Sequence, residues 1–227
     1  APLMTAGLFV TVLALALGRG RGEVMGLSYL AFLGPGILMM TVIQNAFANT
    51  SSSLMISKVQ GNIVDLLMPP LSPFEIVLGY VAAGGIRGLV VGLACLVVVF
   101  FFAPVKMFSI PIVLSYAVLG TLMLSTLGIA AGLWSEKFDH LSAITNFLVM
   151  PLTFLSGTFY SIHGLSATWQ AVAQMNPFFF MIDGFRYGMT GHLESNLWIG
   201  IGMLLMYNFG LLIFSYAMIL TGYKTKT

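Results

Sequence analysis

Apolar residues along this 227-residue chain gather into long runs separated by short polar breaks. The runs at about 27–48, 74–103, 109–134, 141–160 and 197–220 each supply roughly the 20 apolar residues that a membrane-crossing helix needs. A shorter run occupies 2–17, and Ala14-Leu15-Ala16 near its end fits a small-x-small cleavage pattern. No basic segment precedes it, so a spanning helix fits better than a signal peptide. The pattern therefore predicts six membrane spans. Gly34-Pro35-Gly36 in the second run is expected to kink its first turns.

The breaks differ from one another. A tight polar turn covers 18–23, a charged knot covers 135–140, and a polar loop covers 50–72. Within that loop Asn62 suits an N-cap, and Asp65 suits the first-turn N–H groups. Ile63, Val64, Leu66, Leu67 and Met68 are apolar, and Pro69 and Pro70 stop any helix. A helix of roughly six residues does not hold alone in water, so this apolar knob needs a partner outside the lipid. The segment 161–196 is apolar but interrupted by Gly164, Pro177, Gly184, Gly188 and Gly191. Ser166 is positioned to cap one short helix, and Phe178–Ile182 to begin another. Such pieces read as a broken re-entrant hairpin, which must be shielded by protein or line a water-filled cavity. No internal repeat is visible, so an inverted-repeat transporter layout is not supported.

Composition sharpens the class. The chain is 59% hydrophobic and 7% charged, against about 25% charged in soluble domains. It reads as one all-α integral membrane domain over 1–227. A net charge of +2 predicts no nucleic-acid surface. Cys95, the single cysteine, excludes an intrachain disulfide. Lys58, Lys137, Lys224 and Lys226 fall on one side of a six-span layout, and Arg19, Arg21, Lys106 and Arg186 on the other. Charge counting thus returns a tie on orientation.

Arg87 is the outlier, a charge near the middle of the third run. Gly84, Gly88 and Gly92 beside it form a small-xxx-small face that lets another helix approach closely. Two readings stand for Arg87: it faces a substrate path or subunit interface, or it snorkels from a shifted or tilted span. Asp183 and Arg186, three apart, are expected to pair as a local ion pair in the hairpin. His140, His163 and His192 are scattered over three breaks and show no metal-site spacing. No catalytic residues and no metal or cofactor site are expected in this chain: it carries no G-x-x-x-x-G-K-[ST], no H-E-x-x-H, and no histidine within a span to serve a serine nucleophile.

The order of spans, the loop knob, the charged knot and the broken hairpin resemble the membrane subunit of ABC-2 type exporters. The residues carrying the resemblance are Gly34–Met40, Asn62–Pro70, Gly84–Leu89, Leu155–Tyr160, Asn176-Pro177 and Asp183–Gly188, and they cover nearly the whole chain. The resemblance implies that Asn62, Ile63, Val64, Asp65, Leu66, Leu67 and Met68 form a cytoplasmic coupling helix gripped by a separate ATPase subunit. It implies a working unit of two permeases and two ATPases in the membrane lipid, with ATP and Mg held by the partner. It also implies a bacterial inner membrane, both termini cytoplasmic, an outward-facing hairpin, and an amphipathic connecting helix upstream of Ala1. The expected activity is ATP-driven export of a hydrophobic or amphipathic molecule. The alternatives are a polysaccharide or lipid-linked glycan permease, and a non-transporting membrane anchor for an ATPase.

Overall fold

The computed structural model describes residues 24–62, 70–102 and 107–223, together with positions 4, 7, 8, 11 and 12. The described residues are helical, apart from turns and one isolated bridge between Val24 and Leu27. The helices are α1 (Tyr29–Val59), α2 (Pro73–Phe102), α3 (Ile110–Trp134), α4 (Phe138–Ile144), α5 (Met150–Phe154), α6 (Ala167–Met175), α7 (Pro177–Thr190) and α8 (Leu197–Leu220). Four of them, α1, α2, α3 and α8, are long and apolar enough to cross a membrane. The run at 2–17 lies outside the described residues, except for single helical positions such as Met4 and Leu8.

The bundle centres on α1 and α3, with α2, α7 and α8 packed around them. Helix α1 is buried over much of its length, with Phe32, Met39, Ile43, Ala46 and Met55 fully enclosed. Helix α3 buries Tyr116 and Leu124 in the same core, and Ile129 in a second cluster with Leu54, Val77 and Val81. Helix α8 presents Trp198, Phe209 and Ile213 outward instead, as expected of a lipid-facing span.

The sequence placed the end of the second run at residue 48, with a polar loop from 50. Helix α1 instead runs on to Val59. The hydroxyls of this stretch turn back on their own helix: Thr50 Oγ1 donates to Ala46 O at 3.1 Å and Ser51 Oγ to Phe47 O at 2.8 Å. Self-satisfied in this way, Thr50 and Ser51 are fully buried. They pack against glycines of α3. A Cβ on Gly128 would lie 2.9 Å from Phe47 O, and one on Gly132 would lie 3.0 Å from Ser51 O. The polar residues are therefore the contact through which two helices meet closely.

The fifth run is helical without a break from 138 to 154, where α4 passes through a π-helical turn at Thr145–Val149 into α5 and the helix ends at Phe154, short of the expected 160. Pro151 is the physical cause of the π turn. It has no N–H to give to the carbonyl four residues back, and its ring crowds that carbonyl. The wider π turn, with the Met150 N–H on Thr145 O, accommodates it. Gly157, at φ 71°, then turns the chain out of the helix.

The start of α2 is fixed by a capping box. Glu75 N–H donates to Ser72 Oγ at 3.3 Å, and Glu75 Oε2 accepts from Ser72 N–H at 2.7 Å. Pro73 occupies the first helical position, where a missing N–H is harmless.

Candidate functional site

The hairpin between α5 and α8 is built around buried charges. Asn176 opens α7, its Oδ1 accepting from Phe178 N–H at 3.0 Å, with Pro177 at the first position. Gly191, at φ 77°, closes the helix. Helix α7 thus carries Asp183 and Arg186 inward, and both are buried. Their expected mutual ion pair is replaced by another. Arg186 Nη1 pairs with Glu194 Oε1 at 3.2 Å, while Nη2 donates to Gly157 O at 2.6 Å. The guanidinium also lies 3.8 Å from the Phe32 ring centroid. Asp183 turns instead to the backbone of the next loop, accepting from Glu194 N–H at 3.0 Å and Ser195 N–H at 2.9 Å. The second Glu194 oxygen accepts from Ser161 Oγ at 2.9 Å and Ile162 N–H at 2.7 Å.

Burial pushes the Glu194 carboxyl above its usual range, against the opposing pull of Arg186 and of the Ser161 and Ile162 donors. This knot ties α7, the turn after α5, and the loop before α8 to α1. Glu194 is the residue that sequence reading missed. It lies outside helical spacing from Arg186, so only the turn at Gly191 brings it there.

The second feature is the face α1 leaves outside the bundle. Thr41, Asn45, Ala48 and Ser52 recur along it at helical spacing, with Gln44 and Asn49 at its edges, and all are at least partly exposed. Gln44 at one edge touches Met150 of α5 and Asn49 at the other meets α2; a half-buried polar face within an apolar spanning helix points to a water-filled path or another protein surface. Gly84, Gly88 and Gly92 lie beside this face, where α2 presses on α1. A Cβ on Gly88 would fall 2.9 Å from Val42 O and 3.0 Å from Ala46 Cβ. The small-residue face thus serves a contact within this chain, between its own helices. The close crossing lets exposed Arg87 reach sideways, where Nη1 donates to Asn49 Oδ1 at 2.5 Å. Its side chain joins the α1 face and does not run to the end of α2.

At the other end of α1, Lys58 Nζ donates to three carbonyls at the C-terminus of α3: Leu133 O at 2.7 Å, Ser135 O at 2.5 Å and Gly132 O at 3.5 Å. An ammonium there answers both the orphan carbonyls and the negative end of the helix. Lys58→Met, which keeps the stem and loses the donors, is expected to lower stability by about 1–3 kcal/mol. Thermal denaturation in detergent measures it, and an unshifted midpoint would remove Lys58 as a clamp. Beyond it the chain enters the loop that sequence reading assigned to coupling. Asn62 is described there, exposed, its amide nitrogen donating to Gln60 Oε1 at 3.3 Å. Ile63, Val64, Asp65, Leu66, Leu67 and Met68 lie outside the described residues.

The family model described as ABC-2 type transporter matches residues 1–190. The chain is 37% identical over 206 residues to the Escherichia coli K12 protein named inner membrane transport permease YadH, covering 91% of this chain and 80% of that one. It is 25% identical over 201 residues to Nodulation protein J of Rhizobium leguminosarum bv. viciae, covering 86% of this chain and 76% of that one. A helical bundle with apolar helices of spanning length, a family match over most of its length, and a permease relative at this identity lead to one conclusion: the chain belongs to the ABC-2 type transporter family.

Proposed function

We propose that this chain is the membrane-embedded permease subunit of an ATP-driven exporter, working as a pair with a second copy and with two separate ATPase subunits. The observation that carries the reading is the half-buried polar face of α1, from Thr41 to Ser52, inside an otherwise apolar spanning helix. Such a face is costly against lipid. It is satisfied if two copies present it to each other around a hydrated passage. Six spans per copy, an inner bacterial membrane and cytoplasmic termini complete the reading. The inner-membrane permease names of the relatives support that location. ATP and Mg belong to the partner, and this chain contributes the passage and the handle.

The handle is the loop after α1. Lys58 fastens its entry to α3, and the Ser72–Glu75 capping box fixes its exit into α2. A push on the apolar knob at Leu66 and Leu67 would therefore reach three helices. Double substitution Leu66→Asp/Leu67→Asp is expected to abolish co-purification of the ATPase and export together. Retained co-purification with undiminished export would rule the loop out as the handle.

A further inference from the structure

The proposed passage leaves its cargo open, and Arg87 narrows it. Among the described residues, this guanidinium has one hydrogen bond, to Asn49 Oδ1, and no carboxylate partner. It stands exposed midway along a spanning helix. Buried Arg186, by contrast, has a glutamate, a backbone carbonyl and an aromatic ring around it. Arg87 has only a neutral amide, so among the described residues its charge meets no opposite charge and most of its five N–H donors are unused. A charge at this depth is costly unless something of opposite sign meets it.

The neighbourhood is amphipathic. Polar Asn45, Asn49 and Ser52 lie on the α1 side. On α2, Ile86, Val90, Leu93 and Val97 form an exposed apolar strip running on from Arg87 at helical spacing. One cation, flanking amides and a contiguous greasy strip match a molecule with an anionic head and an apolar chain. We propose that Arg87, supported by Asn49, is the contact for the anionic head group of an amphiphilic substrate, carboxylate or phosphate, whose chain lies along Ile86, Val90 and Leu93. A planar fork suits both oxyanions, and both offer more than one acceptor to it.

This rests on the export reading, yet it can fail separately, because equilibrium binding requires no ATPase. The permease is placed in nanodiscs of zwitterionic phosphatidylcholine and titrated with a fluorescent fatty acid, its uncharged methyl ester and a fluorescent phosphatidic acid. The wild type is expected to favour each anionic probe over the ester by about tenfold. Arg87→Gln should erase the preference, and Arg87→Lys should restore part of it. Because Arg87 is exposed, the variant is expected to keep the parent's thermal midpoint and elution volume. Equal binding of ester and acid by the wild type, or an undiminished preference in Arg87→Gln, would overturn the proposal. The two anionic arms separate a free amphiphile from a membrane lipid as the source. In cells carrying the partner ATPase, outward movement of the preferred probe should fall at least tenfold in Arg87→Gln. Binding without any movement would mark a resident lipid and sink the substrate assignment, while leaving the Leu66/Leu67 test untouched.

Discussion

Arg186→Ala is expected to destabilise the protein by about 3–5 kcal/mol, because it strands a buried carboxylate that has lost its counter-charge. Glu194 would keep two donors, from Ser161 and Ile162, but would hold a negative charge in a site with no cation. Gly157 O would lose its donor as well, and Phe32 the guanidinium over its ring. The double variant Arg186→Met/Glu194→Gln should recover much of that loss, since it removes both charges and keeps an acceptor for the Ile162 N–H. Thermal unfolding in detergent, followed by size exclusion, reads both. A single variant as stable as the parent, or a double variant no better than the single, would show that the pair is not what holds the hairpin together.

Gly88→Leu is the second large expectation. A Cβ alone would sit 2.9 Å from Val42 O and 3.0 Å from Ala46 Cβ, contacts against backbone and a short side chain that cannot rotate away. Four carbons added to this seam must push α2 off α1, at a cost of about 1–3 kcal/mol or more. The same shift would carry Arg87 away from Asn49. Gly210 on α8 is the matched control, with nothing within 4 Å of an added Cβ. Gly210→Ala should be neutral, or stabilising by up to about 1 kcal/mol through helix propensity. Equal melting of Gly88→Leu and the parent would mean that the two helices are not in the close contact described.

What could be read from the residues divides along physical lines. Helices α2, α3 and α8 start and stop where the apolar runs do, because a span is written in composition. The existence of helices α6 and α7 was also legible, from Ser166 and from the Phe178–Ile182 start, although the Ser166 side chain makes no capping bond and the cap of α7 is Asn176. The tail of α1 was not. Thr50, Ser51 and Ser52 look like loop residues until the carbonyls of their own helix and the glycines of α3 are in place. In the fifth run the unforeseen detail lies at Pro151, whose effect spreads backward into a π turn that no periodicity reveals. At the site, the three glycines beside Arg87 do admit a close helix, and that helix belongs to the same chain. The hairpin partner was misassigned, because spacing on a helix favours Asp183 while the fold delivers Glu194. Long-range partners of this kind depend on where a loop returns, which local rules do not encode.

The length of α1 carries a mechanical consequence. Its 31 residues make a rod about 46 Å long, against about 30 Å of hydrocarbon. Roughly a third of the rod must therefore stand outside the greasy layer, and the hydroxyl-bearing tail with Lys58 is the part suited to do so. A rigid rod pivoting near its middle is a lever. A tilt of about 10° displaces each end by about 4 Å, enough to move a side chain across a hydrogen-bonded position. Displacement at the Lys58 end would thus return, reversed in direction, at Tyr29 and Phe32, where α1 meets the hairpin.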